Sequence, residues 1–292
     1  MKFLMKKAKG FMGRSHVTIS LVLLLVLILL PFETTQIIFG QLKTNYLLFI
    51  VSMTVLAGGA LLPDLDNDSS TAGHTLGPLG SMMTVFMKST SSVVWNIYHF
   101  KKDSKPNTQH RYLWHAPLLW LGLLLLFYLR LPTGNVTIFT NLSNAIKLGQ
   151  FGYFVQTNAL LILFIILAFM AVLVGSNMIV FRISQFFDIP YAIKYIFPGL
   201  ILIYIFTTTY TNLRIVAVCL ATGCVLHCIE DGFCDTGLPS LIFPIPQFWR
   251  GKVWGRMKLL PWTVTTGGMI NKVIDVVASV LFVILLIVVF KH

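Results

Sequence analysis

The sequence predicts an all-α, polytopic integral membrane protein, a single domain over residues 1–292, and three observations predict it. Only 11% of the residues are charged while 56% are hydrophobic, against roughly 25% charged in a soluble domain. Apolar stretches recur at about 17–32, 46–62, 116–131, 159–181, 195–211, 213–229 and 274–290, and a lipid core asks for roughly 20 residues per spanning helix. None of these stretches alternates polar and apolar positions as a barrel strand does. Backbone groups in hydrocarbon need partners within their own segment, so about seven transmembrane helices are expected.

Taken in order, the first span follows "MKFLMKKAKGFMGRSH", a basic start that imitates a secretory leader. No small-x-small cleavage pattern follows "LLPFETTQ", so an uncleaved span is expected. The second closes in "GALLPDLDND", where Asp64, Asp66 and Asp68 crowd into five positions. The third opens in "HRYLWH" with Pro117 behind it, and proline is favoured in a helix's first turn. The fourth is the plain apolar run to residue 181; the fifth and sixth are divided around Thr211–Arg214, the least distinct boundary. The sixth ends in "HCIED" and the seventh is the C-terminal apolar run.

Two long polar connections remain, 63–115 and 230–273. The first holds "GHTLGPLGSMMTVFMKSTSSVVWNIYHF", apolar and aromatic without span length between charges, which predicts an interfacial helix. The second, rich in Pro, Trp and basic residues, suits a loop at headgroup level. No internal repeat or composition break marks a second domain.

The formal charge is +12. Threading the seven spans from a cytoplasmic N-terminus puts 17 of the 22 Lys and Arg residues on one side. That is the positive-inside asymmetry, so the N-terminus is expected inside and the C-terminus outside. A basic face suits anionic lipid headgroups, and with the basic residues so explained no nucleic-acid partner is expected. Cys219, Cys224, Cys228 and Cys234 fall in or just after the sixth span on the reducing side. They are read as small packing residues rather than disulfides or ligands.

The orientation also gathers the ionisable residues. His16 precedes the first span, Asp64 and Asp66 follow the second, His110 and His115 enter the third, and His227 and Asp231 end the sixth. All seven lie at cytoplasmic ends of spans. Ionisable groups at membrane depth are costly and read as functional. "DLDND" is no calcium loop, because Ser69 stands where the loop needs Gly and Thr75 where it needs Glu. His227 and Asp231 are spaced i,i+4 and share a helix face. His110 and His115 diverge by about 140° on one helix, but with Pro117 starting the helix His110 is free to converge from the preceding loop.

Imidazoles and carboxylates without obligatory thiolates suit zinc, manganese or non-haem iron. Seven ligands exceed the three or four that one catalytic zinc takes from protein, so two divalent ions are expected. Such a pair activates water and clamps the oxygens of a displacement at phosphorus. Arg111, beside His110, is suited to pair with a substrate phosphate. The general base is left open among the clustered carboxylates, Asp64, Asp66 and Asp231, with Asp68 or Glu230 as spares.

In these motifs the chain resembles the YdjM-like inner-membrane proteins, a family described as metal-dependent hydrolases. The resemblance runs through "LLPDLD" with the following Ser69-Ser70-Thr71 and Gly73, through His110-Arg111 and His115, and through His227-x-x-x-Asp231 followed by Gly237. It departs where Tyr112, Trp114, Ala116 and Cys234 replace the family's usual Gly, Thr, Ser and Thr. The resemblance implies that the His and Asp residues bind metal, and that the protein sits in a bacterial inner membrane.

The expected function is therefore a metal-dependent hydrolase, phosphoesterase-like, at the cytoplasmic face of the membrane. Asp64, Asp66, His110, His115 and Asp231 are its candidate catalytic residues and an anionic phospholipid its candidate substrate. The alternatives are a non-enzymatic metal-binding protein or transporter, and a membrane di-iron oxygenase. A transporter should place its ionisable groups near the bilayer midplane, and a di-iron oxygenase usually carries His-x-x-His-His, which this chain lacks.

Overall fold

A helix forms at each of the seven apolar stretches. The structure, a computed structural model, describes residues 12–67, 70–97, 112–131, 134–184, 190, 192–233, 248–249, 252–253 and 269–291. In chain order the helices are α1 (Met12–Leu29), α2 (Glu33–Phe39), α3 (Gln41–Thr44), α4 (Tyr46–Gly59), α5 (Thr71–Leu76), α6 (Pro78–Ile97) and α7 (Pro117–Arg130). They continue as α8 (Ile138–Lys147), α9 (Phe151–Thr157), α10 (Ala159–Ile183), α11 (Ile193–Thr207), α12 (Tyr210–Asp231) and α13 (Met269–Lys291). Single 3-10 turns cover Pro63–Asp66 and Leu113–His115, and Phe248–Trp249 pairs antiparallel with Lys252–Val253. The all-helical class is thus observed among the described residues, apart from that short pair.

Four segments are long and apolar enough to cross a membrane: Tyr46–Asp66, Ala159–Phe181, Tyr210–Asp231 and Met269–Lys291. Ser15–Leu29, Pro117–Arg130 and Ile193–Thr207 are shorter apolar helices. This is the composition of a membrane-integrated chain.

Helix α4 is the centre of the bundle. Asn45 starts it, its side chain accepting the Leu48 N–H at 2.9 Å, and Pro63 ends the α-helical path by opening a 3-10 turn. Helices α10 and α12 press on α4 from two sides at backbone contact. A Cβ on Gly58 would lie 1.9 Å from the Ala171 carbonyl oxygen, and one on Gly175 2.0 Å from that of Thr54. On the other side a Cβ on Gly59 would lie 2.5 Å from the Leu220 oxygen, and one on Gly223 2.4 Å from that of Leu56. Four glycines therefore set two interhelical distances. In lipid, helices associate by such close packing, since apolar burial drives nothing between chains already in hydrocarbon.

Helices α1 and α7 complete the bundle around α4 and α12, and α13 lies outside against α1. The most apolar window of α13 is only 17% buried, against 78% for that of Tyr46–Asp66. Polar contacts hold α13: Ser15 donates to Asn271 Oδ1 at 3.0 Å and Thr18 to Asp275 Oδ1 at 3.4 Å.

The structure corrects or extends the sequence reading at three places. The fifth and sixth spans divide at Thr208-Thr209, not Thr211–Arg214, because Thr209 caps α12 by accepting from the Asn212 N–H. Arg214 thereby enters the helix and donates from Nε and a terminal nitrogen to the Leu131 carbonyl at 3.3 and 3.2 Å. In the segment where an interfacial helix is expected, α6 forms, reached through Gly77 at φ +56°, where a side chain would be strained, and started by Pro78. Its inner face is Gly80, Thr84, Met87 and Ser91, and its exposed face carries Met82, Val85, Phe86 and Ile97. The helix is therefore two-faced, one side packed and the other bearing exposed apolar residues. Helices α8 and α9 have no counterpart in the sequence reading, each being too short to stand out as a span and α9 lying directly before the apolar run of α10.

Candidate metal centre

The ends of four elements meet at one end of the bundle. The turn after α4 brings Asp64 and Asp66, the turn before α7 brings His115, the last turn of α12 brings His227 and Asp231, and the start of α1 brings His16. His16, Asp66, His115, His227 and Asp231 are all buried. Asp64 is the one partly exposed member, with 22% of its side chain accessible.

Four ligand atoms close into a cage. His115 Nε2 lies 3.3 Å from His227 Nε2, 3.5 Å from Asp64 Oδ1 and 3.3 Å from Asp231 Oδ2. His227 Nε2 lies 3.5 Å from Asp64 Oδ1 and 3.5 Å from Asp231 Oδ2. All four atoms fall within 4.8 Å of one another. A tetrahedral zinc ion with bonds of about 2.0–2.1 Å requires ligand-to-ligand edges of roughly 3.3 Å. These five edges are of that size, so this cluster can hold a metal ion.

Each imidazole is oriented by what its other nitrogen meets. His227 Nδ1 sits 2.7 Å from the Ala60 carbonyl oxygen, which only accepts, so the ring proton belongs on Nδ1 and the Nε2 lone pair points inward. His115 Nδ1 faces Asp66 Oδ2 at 3.4 Å, and the carboxylate charge favours the proton on that nitrogen. Two inward lone pairs 3.3 Å apart repel unless a cation or proton lies between them. This carboxylate-and-carbonyl backing is how ligating histidines are normally held. Just outside the apolar helix, His115 titrates above its ordinary value: burial opposes its charged form, but Asp66, then Asp64 and Asp231, outweigh that cost. The surroundings are built for positive charge.

The seven ligand candidates therefore separate into groups. Asp64, His115, His227 and Asp231 form the cage. Asp66 is not among its four residues and backs His115 instead. His16 flanks the cage, its ring centroid 4.1 Å from that of His227. Its Nδ1 pairs with Glu230 Oε2 at 2.5 Å and its Nε2 faces Asp231 Oδ1 at 3.7 Å. His110, Arg111 and Asp68 lie outside the described residues. Cys219, Cys224 and Cys228 are buried and free, and none belongs to the cage.

Two contributors carry little signal in the sequence. The Ala60 carbonyl is backbone and leaves none in residue type. Glu230 enters the sequence reading only as a spare base, although its position beside Asp231 at the end of an apolar helix is the available clue. No protein-family model, curated protein or solved structure matches the chain.

Proposed function

We propose that the protein is a membrane-embedded, metal-dependent hydrolase of the YdjM-like type, acting on a phosphoester of an anionic lipid at the cytoplasmic face. The carrying observation is that five of the six edges among Asp64, His115, His227 and Asp231 are of the size a tetrahedral ion requires, with a backing group behind each histidine. A purely structural cluster of two imidazoles and three carboxylates would leave one buried negative charge uncompensated even with both rings protonated. The topology in this reading has seven spans with the N-terminus inside. Reporter fusions after residues 72 and 255 are expected to report cytoplasm, and those after 40 and 140 the opposite side. Opposite sides for 72 and 255 would contradict it.

When bound, a zinc, manganese or iron ion lowers the pKa of a water and polarises a phosphoryl oxygen. The chain's own groups supply the rest. Asp64, the partly exposed member of the cage, would hold the ion from the side nearest solvent, where a substrate oxygen would approach. Asp231 presents its two oxygens in different directions, Oδ2 to the cage and Oδ1 to His16. Were a second ion bound, Asp231 Oδ1, His16 and Glu230 would be the residues to hold it. If that second position stays empty, the Glu230–His16 pair is placed to accept a proton instead. Arg111 keeps its role toward the substrate phosphate.

The test uses detergent-solubilised protein loaded with zinc or manganese and a panel of lipid phosphoesters. Metal-dependent release of the headgroup or phosphate is expected, abolished by chelator and by Asp231→Asn in protein that remains folded. Full metal occupancy without turnover on any lipid would favour the non-catalytic reading, which the closed set of four protein ligands also suits.

A further inference from the structure

Helix α12 separates two different chemical environments. Its last turn carries His227 and Asp231, while its first residue, Tyr210, lies about 30 Å away at 1.5 Å per residue. Near that end the chain builds a second, uncharged cleft between α8 and α9, closed by Asn158 just before α10, with a volume of about 290 Å³. None of the described residues lining it is ionisable at neutral pH, in a chain of net charge +12. Four of them are carboxamides: Asn141, Asn144, Gln150 and Asn158.

The hydrogen bonds of these amides divide them into two kinds. Asn141 spends its Nδ2 on the Tyr210 hydroxyl at 2.9 Å. Asn158 donates from Nδ2 to the Phe154 carbonyl at 2.9 Å and to Thr157 Oγ1 at 3.1 Å. Both are held by their N–H ends, which leaves their carbonyl oxygens as fixed acceptors. The side chains of Asn144 and Gln150 make no hydrogen bond with the described residues and keep donors and acceptors available. Tyr153, 67% exposed, and Phe154 add aromatic surface.

The framework beneath is fixed. Gly149 at φ +67° makes the turn between the helices, and the Gln150 N–H donates to the Ala145 carbonyl at 2.8 Å. The entry to α8 is fastened to the head of α12 by the Thr137–Thr209 bridge and by the Tyr210 N–H donating to the Val136 carbonyl at 3.1 Å. A small pocket with convergent polar groups on a preformed frame is the general form of a ligand site.

We propose that this cleft is a second binding site, on the membrane face opposite the metal centre, for a neutral saccharide unit. Hydroxyl groups both donate and accept, which matches fixed amide oxygens beside free amide groups. The apolar face of a sugar ring fits against Tyr153 and Phe154. A phosphate or carboxylate finds no cation in the lining. The same unit is available as a free sugar or as the headgroup of a glycolipid.

Two arms of one experiment separate these sources, with the full chain in phosphatidylcholine nanodiscs. Saturation-transfer NMR is recorded with glucose, N-acetylglucosamine, lactose and maltose. A parallel set of discs carries a monohexosyl diacylglycerol, with retention of the glycolipid by purified protein as the readout. Binding in either arm is expected, with glucose 6-phosphate weaker than glucose. The Asn144→Leu/Gln150→Leu variant, which removes no internal hydrogen bond, should bind roughly tenfold more weakly. Signal in the first arm assigns a free sugar and retention in the second alone a headgroup. Absence of both, or binding that the double variant leaves unchanged, overturns the proposal.

Discussion

His227→Ala and Asp231→Asn proteins are expected to purify with background metal, whereas the unaltered protein carries transition metal without any being added. Each change removes one corner of the cage, and the His227 variant also leaves the Ala60 carbonyl without its imidazole partner. Elemental analysis of protein in matched detergent gives the stoichiometry, and circular dichroism shows that the helices persist. Two ions per chain are expected from the unaltered protein, with His16→Ala losing only one of them. Asp66→Asn provides the contrast. Because Asp66 meets His115 from behind, its loss should weaken metal affinity by about 10–100-fold and yet leave binding at saturation intact. Unchanged stoichiometry in both the His227 and Asp231 variants would remove the cage from consideration as a metal site.

The second large effect falls on assembly. Gly58→Ala should destabilise the bundle by about 1–3 kcal/mol or more, and Gly58→Leu should prevent its accumulation. The added carbon would sit 1.9 Å from a backbone oxygen and 2.6 Å from the Ala171 Cα. No side-chain rotation relieves a contact with backbone, so α10 itself has to move. Gly122 and Gly199 are the controls, since a Cβ at either meets nothing within 4 Å. There alanine should be neutral, or favourable by up to about 1 kcal/mol through helix propensity. Fluorescence-detected size exclusion after a temperature series distinguishes the outcomes. Equal melting of Gly58→Ala and Gly122→Ala would show that α4 and α10 are not in backbone contact. Since Gly58 precedes Asp64 by only about one and a half helical turns, partial survivors should also bind metal poorly.

Much of the candidate site was legible before any tertiary contact was known. Asp64, His115, His227 and Asp231 could be named because they are ionisable residues where apolar runs stop, and hydropathy locates such ends well. The i,i+4 pair of His227 and Asp231 was legible for a second reason, the periodicity of a single helix. The existence of helices at the seven apolar stretches follows from the same signal. Its failures were equally local. The Thr208-Thr209 break was displaced because the capping hydroxyl of Thr209 decides where α12 begins, and average hydropathy does not register a cap. Helices α8 and α9 escaped because they are ten and seven residues long and are held by tertiary contacts, such as Asn141 to the Tyr210 hydroxyl, that leave no periodic signal in the sequence.

By itself, then, the sequence determined depth: which residues lie at the ends of apolar segments and which chemical types are available there. The tertiary structure alone decided which ends are neighbours and which way each side chain faces. It separated Asp64 from Asp66, two residues apart, into a cage member and a support for His115, and it joined His16 to Glu230. The physical reason lies in the solvent. Lipid tails and protein interior are alike in polarity, so hydropathy records how far a residue sits along the membrane normal and carries almost nothing about rotation or neighbours within the plane. That lateral information resides in shape, in Gly58, Gly59, Gly175 and Gly223, whose missing side chains let three backbones meet and bring the end of α12 up to Asp64.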